Sequence, residues 1–335
     1  AGQYHSAAAT LAGETFTRGE HTRGQLGHGE LRDNVLAPRR VDALRGRRVA
    51  LVACGAAFSY ALADGAPKTW ATQTRAPNRP SLPSLASRLH TRSDARPAVA
   101  RRQRQRLAGT LHSWGEWDCI GRDEDTAYTA ATRSETGLAA DASVEAQGWA
   151  PQEVTALRHA GRVVSVAAGD SCSFALVASG AVYSWGYGAT GHVDADGDMF
   201  TSQALPARVG ALAHVRVVAI ATASFGPGHT LALAADGVVF AFGAGDNGAL
   251  GLGGEEPAPT PTPIEALLDA GVAVRAVGAG SGHSLALGVD AAHGLAAFGW
   301  GTGGGGDECL GLQLEGDALL PRRYPDERWC VDGGV

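Results

Sequence analysis

One short pattern recurs along this chain and limits its fold more than any other feature. Gly169-Asp-Ser-Cys172-Ser173-Phe-Ala175-Leu176 is matched by Gly226-Pro-Gly-His229-Thr230-Leu-Ala232-Leu233 and by Gly280-Ser-Gly-His283-Ser284-Leu-Ala286-Leu287. Further copies stand at Gly55-Ala-Ala-Phe58-Ser59-Tyr-Ala61-Leu62 and Gly2-Gln-Tyr-His5-Ser6. The leading glycines fall at 2, 55, 169, 226 and 280, and Gly333 takes the next place. The steps are 53, 114, 57, 54 and 53 residues; taking 114 as two periods of 57 gives six periods of roughly 55 residues. A fixed period of this length marks a repeat architecture, in which each period is one supersecondary unit.

The periods share an internal order. A turn glycine (Gly13, Gly65, Gly180, Gly237 or Gly294) precedes an aromatic strand such as Val182-Tyr183-Ser184-Trp185-Gly186. Thr69-Trp70, His112-Ser113-Trp114-Gly115 and Ala297-Phe298-Gly299 fill the same place. A Gly-Leu turn follows, as in Gly24-Gln25-Leu26-Gly27-His28-Gly29, and then a Pro-x-x-Val-x-x-Leu segment, as at Pro206, Val209 and Leu212. A valine-rich strand such as Arg162-Val163-Val164-Ser165-Val166 closes the unit. Short runs of Val, Tyr, Phe and Trp bounded by Gly and Pro read as strands joined by turns. Four strands of about 5–6 residues with their loops fill such a period. A four-stranded unit repeated around an axis is a propeller blade. The sequence therefore predicts an all-β chain, a β-propeller of six to seven four-stranded blades with one blade degenerate or missing, in a single domain over residues 1–335. Glycine suits that reading: 47 of 335 residues are Gly, roughly twice the usual ~7%.

The combination strand-Trp-Gly, Gly-Gln-Leu-Gly-x-Gly, Pro-x-x-Val-x-x-Leu and Val-x-x-Val-x-x-Gly-x-x-His-Ser/Thr-x-Ala-Leu resembles the regulator of chromosome condensation repeat family. The resemblance covers nearly the whole chain and implies a propeller of seven blades. Two regions depart from it. Residues 72–108 are rich in Pro, Ser and Arg, and the missing copy there is either Gly109-Thr-Leu-His112-Ser113 or a decayed one near Val99. Residues 122–150 form an acidic insertion before the unit resumes at Pro151.

Charge divides along the chain. Residues 1–109 carry a formal net charge of +11 and residues 110–335 one of −17, which leaves −6 for the whole. Such an asymmetry marks separate partner surfaces or two ends of one body that attract each other. Arg88, Arg92, Arg96, Arg101, Arg102, Arg104 and Arg106 fall within nineteen residues. This run is a candidate for phosphate contact through charge and counterion release, although it holds no aromatic residue for base stacking. Asp123, Glu124 and Asp125 open the acidic insertion and are the matching candidates for a protein partner.

Other motifs carry less. Gly186-Tyr-Gly188-Ala-Thr-Gly191, Gly243-Ala-Gly245-Asp-Asn-Gly248 and Gly299-Trp-Gly301-Thr-Gly-Gly304 match G-x-G-x-x-G. That fingerprint needs a helix N-terminus behind it, and here turn residues follow. His5, His229 and His283 stand beside Ser6, Thr230 and Ser284. Neighbours on a strand point to opposite faces, so these pairs form no nucleophile–base dyad. The histidine position reads instead as packing and hydrogen bonding between strands. Cys54, Cys119, Cys172, Cys309 and Cys330 are widely spaced and form no C-x-x-C pair, which points to neither a zinc site nor a disulfide framework and suits a reducing, intracellular compartment.

No catalytic residue, metal or cofactor is expected. The leading expectation is a non-enzymatic interaction scaffold, a propeller subunit of a larger intracellular assembly with protein partners and no membrane span. The exchange-factor branch of the family implies an alternative, guanine nucleotide exchange on a Ran-like small GTPase. No acidic or histidine residue of this sequence aligns with those that branch uses. A third reading is nucleic-acid or ribonucleoprotein association through the arginine run. In the plant ultraviolet-B photoreceptor branch a Trp follows the glycine where this chain has Pro227 and Ser281, so photoreception is not expected.

Overall fold

The computed structural model describes residues 1–29, 34–64, 109–115, 119–122, 149–193, 197–198, 202–223, 228–290, 294–302, 310, 312 and 316–325. Within them the chain is all-β and forms five antiparallel sheets. The first contains β1 (His5–Ala9), β2 (Thr15–Gly19) and β3 (Val35–Arg40). The second contains β4 (Arg48–Cys54), β5 (Phe58–Asp64), β6 (Gly109–Gly115) and β7 (Gln152–Glu153). The third is β8 (Val163–Ala168), β9 (Cys172–Val177), β10 (Val182–Tyr187) and β11 (Ser202–Arg208). The fourth is β12 (Val217–Thr222), β13 (His229–Ala234), β14 (Val239–Gly243) and β15 (Ala258–Pro263). The fifth is β16 (Val272–Ala279), β17 (His283–Asp290), β18 (Gly294–Gly301) and β19 (Ala318–Arg323). Each sheet is a meander in sequence order, the blade of a propeller.

The valine-rich strand solves a geometric problem that its sequence poses. Val163 and Val166 are both buried, yet residues three apart on a regular strand face opposite ways. A register shift between Val163 and Ser165 inserts one residue and returns Val166 to the face of Val163. The same shift recurs at Val49/Leu51, Val217/Ala219 and Val274/Ala276. A bulge at the same place in these four blades thus explains the spacing of apolar residues on this strand.

Blades meet through apolar side chains. Phe58, Tyr60, Leu62 and Leu111 of the second blade pack on Val163, Val166, Val177 and Trp185 of the third. Phe174 and Leu176 pack on Val217, Ala232 and Phe242 of the fourth. Leu231 and Leu233 pack on Val272, Val274, Ala286 and Trp300 of the fifth. Covered on both faces, β9 and β13 are buried throughout. Their near-continuous apolar sequence follows from that double burial.

The 114-residue step is not two blades in the described residues. β5 pairs directly with β6, Phe58 opposite Gly115 and Asp64 opposite Gly109, so one sheet spans the interval. Gly109-Thr-Leu-His112-Ser113 is therefore no leading-glycine copy. His112 lies opposite Ala61, the place that Phe16, Tyr183, Phe240 and Phe298 take opposite Ala8, Ala175, Ala232 and Ala286. The interval is long because residues are added between β5 and β6 and between β6 and β7. Thr69-Trp70, Gly333, the whole of 72–108 and most of 122–150 lie outside the described residues.

Candidate interaction surfaces

Arg101, Arg102, Arg104, Arg106, Asp123, Glu124 and Asp125 all lie outside the described residues, so their placement is an expectation only. The described chain settles a different question, namely what the recurring histidine, serine and tryptophan do.

They hold adjacent blades together. Trp300 Nε1 of the fifth blade donates to Ala249 O in the Gly-Leu turn of the fourth at 2.9 Å, and Ser284 Oγ donates to the same carbonyl at 2.9 Å. At the junction of the first and second blades, Trp114 Nε1 and Ser59 Oγ donate to Gln25 O at 2.8 and 3.0 Å. At the next junction Trp185 Nε1 and Ser173 Oγ reach Cys119 O at 3.0 and 3.4 Å. The turn must come close for this. Gly251 has φ +69°, and a Cβ there would lie 2.7 Å from the Trp300 indole nitrogen. Gly27 and Gly121 stand in the same relation to Trp114 and Trp185. Only glycine meets both demands, the left-handed backbone and the missing Cβ.

Histidine completes the junction from the other side. His229 Nε2 lies 2.7 Å from Ser284 Oγ, and His5 Nε2 lies 2.7 Å from Ser59 Oγ. Each serine spends its one hydrogen on the turn carbonyl, so the imidazole Nε2–H donates to the serine. A His–Ser contact thus exists, between residues of different modules instead of the sequence neighbours. All four side chains are buried, and a substrate carbonyl has no access to either hydroxyl. Burial holds both His5 and His229 at about 4, well below the ordinary 6.5, so both are neutral.

Where the histidine is absent, the chain substitutes. Phe58 occupies the histidine place in the second blade and has no donor. Tyr60, two residues on, reaches the same junction: its hydroxyl bonds Cys119 O, lies 3.0 Å from Ser173 Oγ and accepts from Trp185 Nε1 at 2.9 Å. In the third blade Cys172 Sγ lies 3.9 Å from Thr222 Oγ1, and Thr230 Oγ1 donates to Thr222 Oγ1 at 3.0 Å. Phe242 replaces tryptophan there and packs edge-on against Phe174, centroids 5.9 Å apart. Cys119-Ile-Gly121 is the Gly-Leu turn of the second blade. Sequence reasoning missed it because it lacks both the leading glycine and the leucine.

Among the described residues the fifth blade stands last, and one face of its sheet is exposed. Leu285 and Leu287 take the places of Leu231 and Leu233, which are 0% and 2% exposed, yet they are 42% and 36% exposed. Val289 and Leu295 lie on the same sheet and are exposed as well. On β17 burial alternates residue by residue, as expected of a sheet covered on one side only.

Repeated sheets, joined at three of their four described junctions by a buried serine, tryptophan and turn carbonyl, define a repeat-built propeller. The regulator of chromosome condensation (RCC1) repeat model matches residues 12–62 and 236–287, and the chain belongs to that family. It is 30% identical over 288 residues to the human E3 ubiquitin-protein ligase HERC2, covering 85% of this chain and 4% of HERC2. It is 27% identical over 338 residues to the Arabidopsis thaliana ultraviolet-B receptor UVR8, covering 99% of this chain and 70% of the receptor. Its fold is similar to human WBSCR16, with TM-score 0.64, 21% identity and coverage of 97% of this chain and 65% of that one. Prp20p from Saccharomyces cerevisiae matches with TM-score 0.53, 20% identity and coverage of 98% and 76%. The chain thus spans a small fraction of HERC2 and just under two thirds of WBSCR16.

Proposed function

We propose that the chain is a non-enzymatic interaction scaffold, a propeller subunit of a larger intracellular assembly. The open face of the fifth blade carries this reading. Side chains whose counterparts at the preceding junction are buried stand exposed at Leu285 and Leu287, with Val289 beside them. Exposed apolar surface of this extent is covered by whatever packs on it, a further blade or a partner chain. The recurring polar residues are consumed in holding blades together, which supports a structural role for them. Buried free thiols at Cys54, Cys119 and Cys172 suit a reducing compartment. Among the described residues no helix is long and apolar enough to cross a membrane. The test is isolation of the tagged chain from cell extract beside a Leu285→Glu, Leu287→Glu variant, with quantitative mass spectrometry. The reading expects partners held by the parent and lost by the variant. A parent chain that is monomeric and free of partners contradicts it.

A second reading has one observation in its favour. The fold resembles that of Prp20p, a yeast RCC1 described with binding properties to Gsp1p and histones. It would make this chain an exchange factor for a Ran-like small GTPase. Release of labelled GDP decides it, and no acceleration at micromolar chain removes the idea.

A further inference from the structure

The outermost strand of the fourth blade departs from its counterparts. β15 reads Ala258-Pro259-Thr260-Pro261-Thr262-Pro263 and, among the described residues, pairs with β14 alone. Pro261 takes the place of Pro38, Pro151, Pro206 and Pro321 in the other blades. The two residues after it differ. Thr262 lies opposite Ala241 and Pro263 opposite Phe240, where the other blades have Arg39 and Arg40, Gln152 and Glu153, Ala207 and Arg208, and Arg322 and Arg323. One proline is thus part of the repeat. Pro259, Pro263 and both threonines are additions of this blade.

These additions fix the backbone. Proline holds its own φ at about −65° and drives the residue before it to an extended conformation. Thr260 and Thr262 are therefore extended twice over, by the strand and by the prolines that follow them. Ile264 N bonds Val239 O across the ladder at 2.9 Å, so the missing N–H of Pro263 falls at the outer edge, where a strand tolerates proline. Thr260 and Thr262 share one face and both are exposed, whereas Pro259, Pro261 and Pro263 are half-buried. Thr262 Oγ1 donates to Thr260 O at 3.0 Å, a bond within the strand that ties the hydroxyl to no other element.

The two threonines are also singular in the sequence. The chain has 15 prolines, and only Pro261 and Pro263 follow a serine or threonine. No Lys or Arg stands between Arg216 and Arg275, so an enzyme that selects basic residues beside its acceptor finds none here. We propose that Thr260 and Thr262 are phosphorylation sites for a proline-directed protein kinase. A kinase takes its acceptor in an extended segment, and a strand already held in that form is bound at little entropic cost. A proline after the acceptor, lacking N–H, is accepted by a pocket that asks for no donor at that place. In the step, the threonine Oγ attacks the γ-phosphorus of Mg-ATP. An Oγ–P bond forms and the bond from phosphorus to the β–γ bridging oxygen breaks. ADP departs with that electron pair, and the hydroxyl proton passes to the kinase aspartate. Each phosphate adds a charge of about −1.5 to −2 at pH 7, beside the exposed Glu255, Glu256 and Glu265. The strand becomes a strongly acidic edge, on a different blade from the exposed leucines of the fifth.

The test is incubation of the folded full chain with Mg-ATP and a purified mitogen-activated protein kinase, read by intact mass and by tandem mass spectrometry of its peptides. The parent should take up two phosphates, at Thr260 and Thr262. Thr260→Val and Thr262→Val, which keep the branched shape that suits a strand, should each take up one, and the two combined none. The urea midpoint should be the same in the parent, the variants and the phosphorylated chain, because both threonines are exposed. A synthetic peptide of residues 255–265 serves as the reference substrate. Phosphate on the peptide but not on the folded chain would show that pairing with β14 withholds the strand, and overturns the inference. Uptake by the double variant equal to that of the parent, or no uptake by chain or peptide, overturns it equally.

Discussion

Ser284 Oγ lies 2.7 Å from the ring of His229, 55 residues earlier in the chain, and passes its own hydrogen to Ala249 O at 2.9 Å. A residue of one module thus satisfies two groups of the module before it. His5 and Ser59 repeat the relation at the first junction. Buried polar groups stabilise only when paired, and here the pairing itself requires the blades to be in register.

This arrangement makes stability depend on pH. Burial lowers His5 and His229 to about 4, from 6.5. The unfolded chain takes up protons between these values that the folded chain does not. The contribution of both rings is therefore complete above about pH 6.5 and is lost as pH falls toward 4. Urea unfolding at several pH values should show a shallower dependence for His5→Gln, His229→Gln than for the parent. Equal slopes would show that the rings are not held neutral.

Tyr60 is expected to stand in for a histidine. Tyr60→Phe removes a buried hydroxyl with three partners and should cost about 1–3 kcal/mol, read from the urea midpoint. Tyr60→Leu in a Phe58→His background rebuilds the pattern of the fourth blade, where His229 and Leu231 take these places. The double variant should be more stable than Tyr60→Leu alone. If histidine gives no recovery, the two positions do not share a role.

One leucine position should give two different costs. Leu231→Ala opens a cavity inside the junction of the fourth and fifth blades and should cost about 2–5 kcal/mol. Leu285→Ala, at the same place in the fifth blade, should cost well under half as much. Similar losses would mean that Leu285 is covered in solution.

The propeller was legible because its period is fixed by packing: blades present a serine or threonine, an alanine and, in all but the first, a leucine to their neighbours, so those places recur visibly. The His–Ser contact was not. The sequence places His229 beside Thr230, and strand alternation correctly separates them, but nothing in a single copy shows that the ring reaches Ser284. The long interval after Gly55 misled because length alone suggested two modules. Its β5–β6 pairing instead keeps Trp114 at the place of Trp185 and Trp300, opposite Ser59 as those are opposite Ser173 and Ser284.

Trp300→Phe reproduces the residue found at Phe242. It removes one of two donors to Ala249 O and should cost about 1 kcal/mol. Trp185→Phe, whose indole also donates to the Tyr60 hydroxyl, should cost more. The reverse order would place the stronger constraint at the wrong junction.

The most direct measurement is a double-mutant cycle on His229 and Ser284, using His229→Leu, Ser284→Ala and the two combined, each assayed by equilibrium urea unfolding. Junctions sewn module to module predict that the second change costs little once the first is made, a coupling of about 0.5–3 kcal/mol. Costs that add within about 0.3–0.5 kcal/mol would show that the two residues do not act together, and would contradict the account.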